Sequence, residues 1–181
     1  MTPSKPNILK SLIGKVLAFQ FVFIFFCTAN GAMCPCCVPD EGANLHVGEK
    51  IELLTVPLFD GDTLDLSKVS EDKIAFIFWA TWCPTCQKEI SQAGKITELF
   101  KKHDAFLMGV NMDFELESAI DFVDAYSVSF PNTSMSFELV DQFRSIVILP
   151  KLIIVDREGK VLSVSNPVNH GQMENALQVV E

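Results

Sequence analysis

The stretch Ile74-Ala75-Phe76-Ile77-Phe78-Trp79-Ala80-Thr81-Trp82-Cys83-Pro84-Thr85-Cys86 decides the reading of this chain. Residues 74–79 form an unbroken apolar run, the pattern of a strand covered on both faces. Cys83-Pro84 then opens a helix, because proline is well placed in a first turn, where its missing N–H is not needed. Ile90, Ala93, Ile96, Leu99 and Phe100 recur at helical spacing, so the sequence predicts one helix from Cys83 to about Lys102. A cysteine pair at the junction has a chemical use. Unpaired N–H groups and the positive end of the helix dipole favour a thiolate on Cys83. Thiolate is the attacking species in disulfide exchange. Cys86, one turn further on the same side, is placed to resolve a mixed disulfide formed on Cys83.

Working outward, Lys50–Val56 and Thr63–Leu66 read as strands joined by the turn Asp60-Gly61-Asp62. After the first helix come a buried strand at Ala105–Val110, a helix at Glu115–Tyr126 and a short helix at Phe137–Phe143. Strands at Lys151–Val155 and Lys160–Val164 flank the turn Asp156-Arg157-Glu158-Gly159, and a helix at Gln172–Val180 follows. Strand–helix–strand crossovers require parallel pairing, and the last two strands form an antiparallel hairpin. The expectation is an α/β fold, one mixed β-sheet with helices on both faces, over residues 47–181.

The N-terminal residues differ from this body. Three of the 14 basic residues, Lys5, Lys10 and Lys15, lie in residues 1–31, which hold no acid. All 23 acidic residues therefore fall in the remainder and bring its net charge to −12. Such a body repels nucleic acid and anionic lipid. The lysines precede the apolar run Val16–Ala29, and small residues follow at Ala29, Gly31 and Ala32. Residues 1–31 thus read as an export signal or, uncleaved, a membrane anchor. Export places the body in an oxidising compartment. Residues 32–46 form a Cys-rich connector. Cleavage after Gly31 would leave five cysteines, an odd number that cannot all pair within one chain. Cys34, Cys36 and Cys37 are weak candidates for holding Cu(I) or zinc and equally for a second redox pair.

Phe78-Trp79-Ala80-Thr81-Trp82-Cys83-Pro84-Thr85-Cys86 resembles the active-site segment of TlpA/ResA-type thiol–disulfide oxidoreductases, thioredoxin-like members of the redoxin (AhpC/TSA) group. Asp60-Gly61, Asn111-Met112-Asp113 and Leu149-Pro150-Lys151 through Lys160 carry the likeness further, over roughly Val47–Val180. The resemblance implies a thioredoxin-like fold and disulfide exchange with protein thiols. It also implies a membrane electron donor, residence on the extracytoplasmic or periplasmic side, and service in cytochrome c maturation or copper-site preparation. It implies no organic cofactor. It gives Cys83 the attack and Cys86 the resolution, and places a functional acid at Glu89, which can move the Cys86 proton. Leu149 and Pro150, with a cis bond between them, would help dock substrate beside Trp82, Pro84 and Thr85, since a proline there leaves an edge without its N–H.

Three departures stand out. Ile77 replaces the buried aspartate of cytoplasmic thioredoxins, Ser91 replaces a helix-kinking proline, and Lys151 follows Pro150 where many relatives have threonine. Two other functions compete. A peroxiredoxin-like peroxidase would want threonine three residues before the attacking cysteine, where this chain has Ala80. A copper-delivery protein would use the N-terminal cysteines. His170 reads as a loop histidine, and Glu89 has the ordinary alternative of a solvated helix residue.

Overall fold

The computed structural model describes residues 45–144 and 146–180. The export segment, most of the connector, and Cys27, Cys34, Cys36 and Cys37 lie outside the described residues. No helix among the described residues is long and apolar enough to cross a membrane.

The apolar run becomes β3 (Lys73–Trp79), the middle strand of a five-stranded sheet. It follows a separate two-stranded hairpin, β1 (Thr55–Pro57) with β2 (Thr63–Asp65), turned at Gly61 with φ of 90°. Helix α1 (Pro84–Ile90) and helix α2 (Ala93–Lys102) lead to β4 (Ala105–Asn111). Helix α3 (Leu116–Ala125), β5 (Asn132–Ser134) and helix α4 (Phe137–Phe143) come next. β6 (Lys151–Asp156), β7 (Val161–Ser165) and helix α5 (His170–Gln178) end the described chain. The sheet order is β5-β4-β3-β6-β7, with β3–β4 and β4–β5 parallel and the pairs β3–β6 and β6–β7 antiparallel.

Alternation along β3 builds two cores. Ala75, Ile77 and Trp79 face α1, α2, α3 and α5, meeting Ile90, Ile96, Phe100, Ala119, Met173 and Leu177. Ile74, Phe76 and Phe78 face the hairpin and α4. There the Phe143 ring sits 4.8 Å from Phe76 and 4.9 Å from Phe78. A buried phenylalanine of this kind is worth about 1.5–3 kcal/mol from removal of its surface from water.

Three elements depart from the expectations. The helix predicted from Cys83 to Lys102 is two helices. Ser91 Oγ and Gln92 Nε2 both donate to the Lys88 carbonyl, at 3.0 and 3.2 Å, and these local bonds end α1. The break thus occurs without a proline at position 91. The strand expected over Lys50–Val56 shrinks to Thr55–Pro57, with Lys50 making an isolated bridge to Lys160. Ile51 instead donates its N–H to the Gly159 carbonyl at 2.9 Å, and Gly159, at φ of 80°, has no room for a Cβ beside the Ile51 carbonyl. β5 was not foreseen. It exists because Asn132 is needed inside: its Oδ1 accepts from the Trp79 indole at 3.0 Å, and its Nδ2 donates to the Phe130 carbonyl at 2.9 Å. Gly109 on β4 leaves the space, since a Cβ there would collide with that Asn132 oxygen.

Candidate functional site: the cystine at the start of α1

β3 ends at Trp79, and the chain turns through Ala80–Trp82 into α1. Cys83 is the N-cap of α1, and Pro84 occupies the first turn. Cys83 and Cys86 form a disulfide with their Cα atoms 5.2 Å apart. The Cys86 N–H also donates toward Cys83 Sγ at 3.2 Å. This N–H is one of the donors that a helix start leaves unpaired, so it is available to a sulfur carrying negative charge. Both cysteines are buried, Cys86 completely and Cys83 at 7 % exposure. The two cysteines therefore differ little in exposure in the closed disulfide. Trp82, at 64 % exposure, is the large apolar residue presented beside it. Pro84 is exposed and Thr85 half-buried.

The loop before the cystine is fixed by a carboxylate. Asp113, just past β4, accepts the Thr81 N–H through both oxygens, at 3.1 and 3.0 Å. It also accepts the Thr81 hydroxyl at 3.0 Å and the Asn111 amide at 2.7 Å. Asn111 Oδ1 in turn accepts the Asp113 N–H at 3.0 Å. Met112 donates its N–H to the Trp79 carbonyl at 2.8 Å. Asn111-Met112-Asp113 marked a resemblance in the sequence; its structural task is to hold residues 79–81. Gln87 closes the other side by donating from Nε2 to the Thr81 carbonyl.

The Leu149–Pro150 peptide is cis. Register pairs Phe78 with Lys151, which brings Pro150 to the sheet end from which the cystine loop leaves. Asn166 grips this turn. Its Nδ2 donates to the carbonyls of Ile148 and Pro150, at 3.2 and 3.1 Å, on either side of Leu149. Val147, Ile148 and Val168 are exposed apolar residues of the two segments this grip involves. Asn166 had no signal in the sequence.

Glu89 is buried at 1 % exposure, so it is not the solvated helix residue of the ordinary alternative. It lies one turn beyond Cys86 in α1. His170 is not a loop histidine: it is the first residue of α5, and its Nδ1 lies 3.0 Å from Glu89 Oε2. The structure thus brings Cys83, Cys86 and Glu89 onto one short helix and adds His170 from the far end of the chain. Among the described residues, no group of three or more His, Cys, Asp or Glu side chains is arranged to hold a metal ion.

Comparison with known proteins agrees with this arrangement. A thiol–disulfide oxidoreductase ResA of Bacillus cereus is 24 % identical over 138 residues, 75 % of this chain and 79 % of that protein. The thioredoxin domain of a thiol–disulfide oxidoreductase from Bacteroides vulgatus superposes with a TM-score of 0.63 at 20 % identity, covering 76 % of this chain and all of that one. A thiol:disulfide interchange protein of the thioredoxin family from Chlorobium tepidum gives a TM-score of 0.65 at 17 % identity, covering 75 % of this chain and 98 % of that one. The fold is therefore thioredoxin-like. The AhpC/TSA family model matches residues 47–164, and the chain belongs to that family as a thioredoxin-like redoxin of the TlpA/ResA type.

Proposed function

We propose that this protein is an exported thiol–disulfide oxidoreductase that reduces protein disulfides through Cys83 and Cys86. The observation that carries the reading is the cystine at the N-terminus of α1, with the Cys86 N–H directed at Cys83 Sγ. In the dithiol form, the Cys83 thiolate attacks a partner disulfide. One Cys83–partner S–S bond forms and the partner's own bond breaks, its leaving sulfur departing as thiolate. Cys86 then loses its proton and attacks Cys83 Sγ, releasing the second partner thiolate and closing the cystine. Two electrons pass to the partner, and the Cys86 proton passes to the buried Glu89 carboxylate. The exposed Trp82 and Pro84, with half-buried Thr85 and Leu149 over the buried Pro150, form the docking surface. Thiols of a membrane electron donor would reopen the cystine by the reverse steps.

The extracytoplasmic location rests on the lysine–apolar–small pattern of residues 1–31 and on the family resemblance. Cytochrome c maturation or copper-site preparation is the setting that the resemblance supports. The test is trapping. Cys86→Ser should accumulate partners as mixed disulfides on Cys83, visible as new bands on non-reducing gels, and Cys83→Ser should accumulate none. Equal trapping by both variants would overturn the assignment of roles.

A further inference from the structure

Glu89 is held unusually for a buried carboxylate. The side chain is 2 % exposed, and Oε2 is enclosed without an aligned hydrogen bond among the described residues. Its close polar neighbour is His170 Nδ1 at 3.0 Å, an ion-pair approach outside hydrogen-bond alignment. Burial of a carboxylate is costly unless a partner compensates its charge or a proton neutralises it. The surroundings offer little else. Residues 80–86 and 165–169 carry no charged side chain. On α1 the remaining charge is Lys88, which is exposed. On α2, Lys95, Glu98, Lys101 and Lys102 are exposed, and on α5 the half-buried Glu174 pairs outward with Lys102 at 3.6 Å.

The other imidazole nitrogen adds a second observation. Which ring nitrogen of a histidine carries the proton is set by the hydrogen bond that the other one makes. His170 Nε2 is enclosed and has no hydrogen bond among the described residues, so no protein group pins the ring proton. The side chain as a whole is 30 % exposed. That exposure lies elsewhere than at Nε2, so a proton passed to water leaves by Nδ1, the nitrogen beside the carboxylate.

We propose that His170 is a positioning residue for disulfide exchange, holding the Glu89 carboxyl and carrying its proton between the enclosed face of α1 and water. The inference rests on the oxidoreductase reading above. As Cys86 attacks Cys83 Sγ, the Cys86 proton moves to Glu89, then to His170 Nδ1, and leaves the imidazolium to water. Opening of the cystine by a donor dithiol runs the same transfers backwards. Asn169 caps α5 by accepting the Gln172 N–H at 3.0 Å, and Gln172 Oε1 accepts the Val168 N–H at 2.8 Å. These bonds set the backbone of His170 independently of its ring.

The experiment measures insulin-disulfide reduction by the full chain from pH 5 to 9, with thermal midpoints, for wild type, His170→Gln, Glu89→Gln and the double variant. His170→Gln should lower the rate by about tenfold and flatten its pH dependence. That is less than the roughly 10²- to 10⁴-fold attached to a general base itself. The double variant should be no slower than Glu89→Gln alone, because both changes interrupt one route. A His170→Gln profile that superimposes on wild type, or losses that multiply in the double variant, would overturn the proposal. If His170→Gln melts more than about 5 °C below wild type, His170→Ala carries the same comparison, since alanine is the best helix former. An inactive wild type would remove the oxidoreductase reading and this proposal with it; an active wild type with an unaffected His170 variant removes this proposal alone.

Discussion

Two carboxylates stand on either side of the cystine, and they are treated in opposite ways. Asp113 receives hydrogen bonds from the Thr81 N–H, the Thr81 hydroxyl and the Asn111 amide, all between 2.7 and 3.1 Å. Glu89, more deeply buried, has the His170 imidazole as neighbour and, among the described residues, no aligned donor on Oε2. A carboxylate whose lone pairs are filled by fixed donors is a structural part, because taking a proton would break those bonds. A carboxylate left underfilled keeps lone pairs available to a proton. The loop side of the cystine is thus built for rigidity, and the proposed proton transfer falls on the helix side.

The sharpest way to break this contrast is Glu89→Gln. Exchange should slow by about 10²- to 10⁴-fold, while stability changes by about 1 kcal/mol or less, since no aligned bond to Oε2 is lost. Stopped-flow rates from pH 5 to 9 beside a thermal melt give both quantities. A rate profile matching wild type would place Glu89 outside the proton route. Asp113→Ala should show the reverse balance. It removes charge-assisted bonds and strands the Thr81 N–H and Asn111 amide, a loss of about 2–3 kcal/mol. The midpoint should fall by about 6–12 °C, with exchange slowed far less than in Glu89→Gln. A melt unchanged from wild type would show that Asp113 does not anchor the loop.

A third carboxylate sets the lower end of the scale. Glu49 has its acidity strengthened mainly by the His46 backbone N–H at 2.7 Å, with help from Arg144 Nη2 at 3.0 Å. Its pKa is lowered from an ordinary 4.5, so its contribution is present above that pH and lost as pH falls through the depressed folded value. Because Glu49 is solvent-screened, Glu49→Gln should leave the melt at pH 7 almost unchanged and make acid unfolding slightly less steep below pH 4.5. Identical acid transitions for the two proteins would show that this pairing is silent.

Legibility in the sequence followed the range of the signal. Residues 74–86 announced strand, turn and helix because burial on both faces leaves a continuous apolar run and proline marks the first turn. Gly61 announced its hairpin. The break at Ser91–Gln92 was hidden because Ile90, Ala93, Ile96 and Phe100 keep their helical rhythm across it. β5 was hidden because Asn132-Thr133-Ser134 is polar, and its burial answers the needs of a tryptophan far away in the chain. At the site, Cys83, Cys86 and Glu89 share one local helix and could be grouped from spacing. Asn166 and His170 reach the same end of the molecule only through tertiary packing, and neither belongs to a motif that would have announced it.

The protein's two tryptophans occupy sharply different surroundings. Trp79 is fully enclosed, with its indole N–H bound to Asn132, and Trp82 is largely in water next to Cys83. Optically, this gives two reporters of one centre, an enclosed indole and a wet one. Disulfides quench nearby indole emission, so opening the cystine brightens the long-wavelength, water-relaxed component from Trp82. The short-wavelength component from Trp79 views the same centre from the enclosed side, since Trp79 shares its buried cluster with Cys83 and Cys86. A single emission spectrum can therefore follow the redox centre from its enclosed and its wet side, without any dye attached.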